Sequence, residues 1–171
     1  EQDAARRVLE SAGLPDAPRG MVLHVSGTQW YKNVAGAVRI YSAYARARTD
    51  PLPLWLIGVR PGPKERAALA ELPAQATVHF AYGLSQETLQ ACYSTARAFL
   101  FPSHAEGFGW PIVEAQACGC PVLTTDDAPM NEIGGPVAAY LPRLQPDSDA
   151  RRWAERGGHL LDQMAHAGPT D

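Results

Sequence analysis

The sequence predicts an α/β fold, with about six strands in a mostly parallel sheet and helices on both faces. Three observations carry this. Short β-rich runs alternate with longer helical patterns from end to end. Consecutive strands separated by a helix pair in parallel, since a parallel neighbour needs a crossover, and the crossover helices cover the sheet. The 171 residues, 46% apolar and 19% charged, suit one globular domain and exclude disordered, collagen-like and coiled-coil classes.

Element by element, a helix over about Asp3–Ala12 precedes the first strand, Met21–Ser26. Asn33 then caps a helix over Asn33–Ala47, because its side-chain oxygen can take a free first-turn N–H. Leu54–Gly58 is the second strand, Pro63–Leu72 a helix and Thr77–Phe80 the third strand. Ser85 caps the helix Ser85–Ala96, in which Leu89, Cys92, Tyr93 and Ala96 recur at helical spacing as a core-facing stripe. After the fourth strand, Ala98–Phe101, a helix runs over Gly109–Cys118, with Pro111 where a first-turn proline is tolerated and Gly119 where the helix stops. Pro121–Thr124, a helix over Ala128–Ile133 and a short strand Val137–Tyr140 continue the alternation. The stretch Pro142–Ser148 reads as a hinge into a last helix, Asp147–Ala167, whose Gly157-Gly158 pair argues against continuity.

Charge and cysteine usage narrow the function. A net charge of −3 without a dense Lys/Arg stripe excludes a protein that grips nucleic acid by neutralising its backbone. The doublets Arg6-Arg7 and Arg151-Arg152 are expected on solvated helix faces. Three cysteines, odd in number and without metal-type spacing, point to a reducing, cytoplasmic setting rather than a secreted disulfide framework. No apolar run approaches the ~18 residues of a membrane span, and no signal-peptide pattern is visible. The chain opens on Glu1 rather than methionine, as expected of an excised or processed piece.

In an open parallel sheet, ligands gather beyond the carboxyl ends of the strands. Two such turns carry unusual residues: Ser26 to Asn33 after the first strand, and Pro102 to Glu114 after the fourth. In the second, Gly107 and Gly109 permit positive φ and close backbone approach, and the helix starting there offers unpaired N–H groups to a phosphate. Glu106 precedes this seat and Glu114 follows it by one to two helical turns. Two carboxylates flanking a phosphate seat suit a ligand with phosphates and vicinal hydroxyls, a sugar nucleotide. On the first turn, Gly27 lets the backbone pass near the ligand, and Lys32 supplies a cation for the charge developing on a diphosphate leaving group. The G-x-G-x-x-G and P-loop patterns are both missing.

The run Glu106-Gly-Phe-Gly-Trp-Pro-Ile-Val-Glu114-Ala-Gln-Ala-Cys-Gly-Cys-Pro-Val-Leu123 resembles the E-x7-E region of retaining glycosyltransferases of the GT-B fold, in the large family 4 group. Val78–Phe101 fits the stretch that precedes that region in the family, and Tyr31-Lys32-Asn33 matches its K-N element, so the likeness covers roughly residues 20 to 145. It implies a Rossmann-like doubly wound sheet forming one half of a GT-B enzyme, namely the C-terminal, donor-binding domain. The N-terminal acceptor-binding domain would be absent from this chain, as would any membrane contact made through it. Such a piece alone is expected to bind a nucleotide sugar and transfer it poorly or not at all.

By position, the resemblance gives Glu114 the ribose hydroxyls and Glu106 the hydroxyls of the donor sugar. The backbone amides of Phe108, Gly109 and Trp110 face the diphosphate beside Lys32, and Ala81-Tyr82-Gly83-Leu84 cradles the base of a UDP- or GDP-sugar. Lys32 and Glu106 are the catalytic candidates. It also implies retained anomeric configuration and no cofactor or divalent metal; no D-x-D motif occurs, Asp126 and Asp127 being adjacent. One departure stands out: Thr28 occupies a position where many relatives have arginine, in a turn about one residue short. Arg60 could substitute, though its loop is expected nearer the base. His104 suits a sugar contact and a turn cap equally. Cys118 and Cys120 read as small buried side chains, His24 and His79 as satisfied or edge strand residues, and Trp30 and Trp110 as a wedge, a lid or packing against the absent domain. Two other functions fit less well: a sugar-nucleotide epimerase, which needs further acid/base residues, and a non-catalytic binding or regulatory module, which Thr28 favours.

Overall fold

A computed structural model describes residues 2–167. Six strands, β1 (Val22–Val25), β2 (Leu54–Ile57), β3 (Val78–Ala81), β4 (Ala98–Phe101), β5 (Val122–Thr125) and β6 (Ala139–Leu141), form one sheet in the order β3-β2-β1-β4-β5-β6. Every pairing is parallel. The order runs outward in opposite directions from β1 and β4, as in a doubly wound, Rossmann-like sheet.

Among the described residues, seven α-helices surround it: α1 (Gln2–Ser11), α2 (Val34–Arg46), α3 (Pro63–Ala70), α4 (Gln86–Thr95), α5 (Trp110–Ala117), α6 (Met130–Gly134) and α7 (Ala150–His166). Alternate strand residues serve opposite faces. Leu54 and Leu56 of β2 pack with residues of α2, α3 and α7, while Trp55 and Ile57 pack with α1, α4, α5 and α6. Two hydrophobic layers therefore sandwich the sheet.

The local signals act as the sequence predicts at both caps. Asn33 and Ser85 accept from the N–H groups of Gly36 and Thr88 at 3.2 and 3.1 Å. Gly119 has φ 71 just past α5. The Gly157-Gly158 expectation is corrected: α7 runs unbroken through both. A Cβ at Gly158 would lie 2.8 Å from Ala43 Cβ and from the Tyr44 nitrogen, and one at Gly157 2.7 Å from Ile40 Cγ1. The glycines let α7 lie against α2, and this packing outweighs their poor helix propensity. No helix among the described residues is long and apolar enough to cross a membrane.

Candidate functional site

The turns leaving β1 and β4 stand side by side, because those strands are neighbours at the point where the strand order reverses. The pairing there is short. β1 matches β2 over four residues, Val22 to Val25, but matches β4 only at Val22 with Ala98 and Leu23 with Phe99. Beyond those pairs no ladder joins the two strands, at the position where an open α/β sheet has its ligand crevice.

Three polar links join the two turns across it. The first turn passes through a 3-10 segment, Trp30–Lys32, and reaches Asn33 in the left-handed region at φ 50. From there Asn33 caps α2 with its oxygen, and its Nδ2 donates to the Pro102 carbonyl at 2.9 Å. The His104 N–H donates to the Tyr31 carbonyl at 2.7 Å. Lys32 Nζ donates to both carboxylate oxygens of Glu106, at 2.9 and 2.7 Å. Trp30 stacks on His104 with ring centroids 6.2 Å apart.

Lys32 and Glu106 are thus together, as expected, but as partners rather than as a free cation beside a free carboxylate. Their side chains are 15% and 6% exposed, so each neutralises a charge that would otherwise be costly in the crevice floor. The ammonium also sits 5.3 and 5.5 Å from the ring centres of Tyr31 and Phe101. An incoming anion must share Lys32 with Glu106.

The start of α5 follows the second turn. Gly109 has φ 97 and offers no side-chain cap; Pro111 has no N–H and the Ile112 N–H donates to the Gly109 carbonyl at 2.9 Å, so the amides left for an anion are those of Phe108, Gly109 and Trp110. Gly107, also expected to exploit positive φ, does not, but a Cβ there would meet nothing within 4 Å. Gly27 likewise avoids positive φ, and the Gln29 side chain folds over it. Phe108 and Trp110 are exposed, with ring centroids 4.7 Å apart.

Glu114 projects from α5 and is exposed rather than packed among its apolar sequence neighbours. Instead its Oε2 accepts from the buried Tyr93 hydroxyl of α4 at 3.0 Å. Burial, and after it the Glu114 charge, pushes the Tyr93 phenol well above its ordinary pKa and keeps it a donor. The structure gives Glu114 no contact with the Lys32–Glu106 pair. At the next strand exits along the sheet, Gly83 has φ 61, Leu84 is half-buried, and the Arg60 guanidinium lies 5.5 Å over the Tyr82 ring. Arg60 is therefore engaged with the turn after β3.

Sequence reasoning assigned Tyr93 only to the core stripe, and helical spacing carries no sign of its bond to Glu114. It gave Asn33 a cap and a place in the K-N element, and not its bond to the Pro102 carbonyl. His24 is indeed a satisfied strand histidine, fully buried between the Leu100 carbonyl and the Ser26 hydroxyl. Desolvation lowers its pKa to about 4, with nearby Lys32 adding to the shift against the raising effect of the Leu100 bond. Burial, then Arg143, lowers His104. A groove of about 910 Å³ lies between α2, α3 and α7, and none of the crevice residues borders it.

Likeness to known proteins decides the family. The family model described as Glycosyl transferases group 1 matches residues 9–136. The chain belongs to this family. Among the relatives of this glycosyl transferase chain is O-antigen chain mannosyltransferase B of Escherichia coli, 31% identical over 121 residues that cover 68% of the chain and 31% of the relative. A D-inositol 3-phosphate glycosyltransferase of Jonesia denitrificans is 32% identical over 169 residues, covering 89% and 37%. The chain thus spans only about a third of the length of these relatives. Among solved structures, the pneumococcal O-GlcNAc transferase GtfA in complex with UDP and GlcNAc superposes with a TM-score of 0.70 at 19% identity, over 87% of this chain and 30% of that one. WaaG, a glycosyltransferase involved in lipopolysaccharide biosynthesis, superposes with a TM-score of 0.68 at 18% identity, over 94% and 44%. At these identities the superpositions speak for the fold.

Proposed function

We propose that this chain is the donor-binding part of a retaining, family 4-type glycosyltransferase that transfers a sugar from a nucleoside-diphosphate sugar to an acceptor hydroxyl. The observation that carries the reading is the crevice at the strand-order reversal, where Lys32, Glu106 and the uncapped start of α5 converge. UDP and GlcNAc in the complex of the structural neighbour GtfA support a nucleotide-sugar ligand.

In this reading the diphosphate lies on the amides of Phe108, Gly109 and Trp110 and draws Lys32 partly away from Glu106. Glu106 then takes hydroxyls of the donor sugar. Glu114, aimed by Tyr93, holds the ribose, and the turn Ala81-Tyr82-Gly83-Leu84, with Arg60 over Tyr82, holds the base. Lys32 meets the charge on the departing diphosphate, and the amides of Phe108, Gly109 and Trp110 share it. The reaction runs with retention and without a divalent metal. The acceptor domain belongs to the remainder of a longer protein, consistent with the share of each relative that the chain spans. A reducing, cytoplasmic setting suits the free thiols Cys92, Cys118 and Cys120.

Calorimetric titration with UDP, GDP and ADP, each with and without an attached sugar, tests this. One nucleotide is expected to bind, and Lys32→Ala and Glu114→Gln are each expected to weaken it by about 1–3 kcal/mol. Unchanged affinity in both folded variants overturns the site. A non-catalytic binding module is the second reading, favoured by Thr28 and by the engagement of Lys32 with Glu106. Transfer activity of the full-length protein, abolished by Lys32→Ala, rules that module out.

A further inference from the structure

The strands β1 and β4 must part to make the crevice, and a sheet that parts leaves its floor without ladder hydrogen bonds. Past the last paired residues, Leu23 and Phe99, one side chain bridges the gap. His24 Nδ1 lies 2.7 Å from the Leu100 carbonyl of β4, and His24 Nε2 lies 2.7 Å from Ser26 Oγ, the first residue of the turn. Ser26 Oγ lies in turn 2.9 Å from the Gly27 carbonyl. The Ser26 backbone is held on the opposite side, where its N–H donates to the Ile57 carbonyl of β2 at 3.1 Å.

The proton inventory of this chain is determined. A carbonyl only accepts, so Nδ1 of His24 carries the hydrogen that meets Leu100. In the neutral ring, which burial favours, Nε2 is then an acceptor and the single Ser26 hydroxyl proton points at it. That proton cannot also serve the Gly27 carbonyl. Donation therefore runs one way, from the Ser26 hydroxyl at the start of the turn through the His24 imidazole to the Leu100 carbonyl of β4, and ties to β4 the backbone beside which the diphosphate would lie.

We infer that His24 and Ser26 are positioning residues: they bridge the crevice floor from β4 and set the Ser26–Gly27 backbone in the conformation that receives the phosphates. Neither touches the reacting atoms. The inference rests on the donor-site reading above and adds residues that the Glu106 to Glu114 region does not contain.

The test compares a nucleoside diphosphate with its own nucleoside, because a displaced phosphate turn weakens only the first. Amide chemical-shift titrations of the wild type with UDP, GDP and ADP select the nucleotide that binds, and the matching nucleoside is the control. His24→Phe and Ser26→Ala are then titrated with both. Each is expected to lose about tenfold in affinity for the diphosphate, the effect of one hydrogen bond with a charged partner, with the nucleoside unchanged. Ser26→Thr, which restores the hydroxyl, is expected to bind as the wild type does. If the buried His24→Phe fails to fold, the half-buried Ser26 pair still decides the matter. Diphosphate affinity unchanged in Ser26→Ala, or equal losses for diphosphate and nucleoside, overturns the inference while leaving the donor site standing. A folded wild type that binds none of the three nucleotides overturns the donor reading and this inference with it.

Discussion

Lys32 Nζ and the Glu106 carboxylate, 74 residues apart in sequence, meet at 2.7 and 2.9 Å and close the floor of the crevice between β1 and β4. The pair is mostly buried and charged, so each partner is the other's main compensation.

Breaking that pair from one side leaves an uncompensated charge. Lys32→Ala and Glu106→Gln are each expected to destabilise the fold by about 3 kcal/mol, and the double variant by clearly less than the sum. Urea unfolding of the three variants checks this. Additive losses would show that the two charges act independently.

Tyr93→Phe removes one hydroxyl and keeps the edge-on packing against Phe99, where the ring centroids are 5.3 Å apart. Stability should change by about 1 kcal/mol or less, whereas nucleotide affinity should fall by a similar increment if Glu114 grips the ribose. The loss should vanish with a 2′,3′-dideoxynucleotide, which has no hydroxyls for Glu114 to hold. Equal losses for both nucleotides would place the effect elsewhere.

His24 couples stability to pH. Its folded pKa, about 4, lies below the ordinary histidine value of 6.5, so below pH 6.5 the unfolded chain binds the proton more readily than the folded one. Its contribution is therefore complete above pH 6.5 and is lost as the pH falls towards 4, by roughly 3 kcal/mol in all. Unfolding free energies measured between pH 7 and 4.5 should fall more steeply for the wild type than for His24→Gln. Parallel slopes would refute the assignment.

Gly158→Ala should destabilise the protein although alanine is the better helix former. The added Cβ would stand 2.8 Å from Ala43 Cβ and the Tyr44 nitrogen and 3.0 Å from the Ala43 carbonyl carbon, none of them the end of a flexible side chain. A loss of about 2 kcal/mol is expected from overpacking, read as a lower thermal midpoint. A gain would mean that α7 shifts freely along α2.

The amino-acid order alone determined the alternation of elements, the caps at Asn33 and Ser85, the stop at Gly119 and the two turns rich in polar and glycine residues. These depend on neighbours within a few positions, where backbone preference and hydrogen bonding act directly. The Glu106 to Glu114 spacing was legible for the same reason. The strand order was not, because periodicity says that a segment is a strand and not which strand lies beside it. Only the tertiary structure set β1 against β4, paired Lys32 with Glu106 and Glu114 with Tyr93, and stretched His24 across the gap. It also turned the Gly157-Gly158 pair from an expected break into a helix contact, since close packing against α2 repays the lost propensity. Local order specified the parts; long-range burial and charge compensation decided which of them meet.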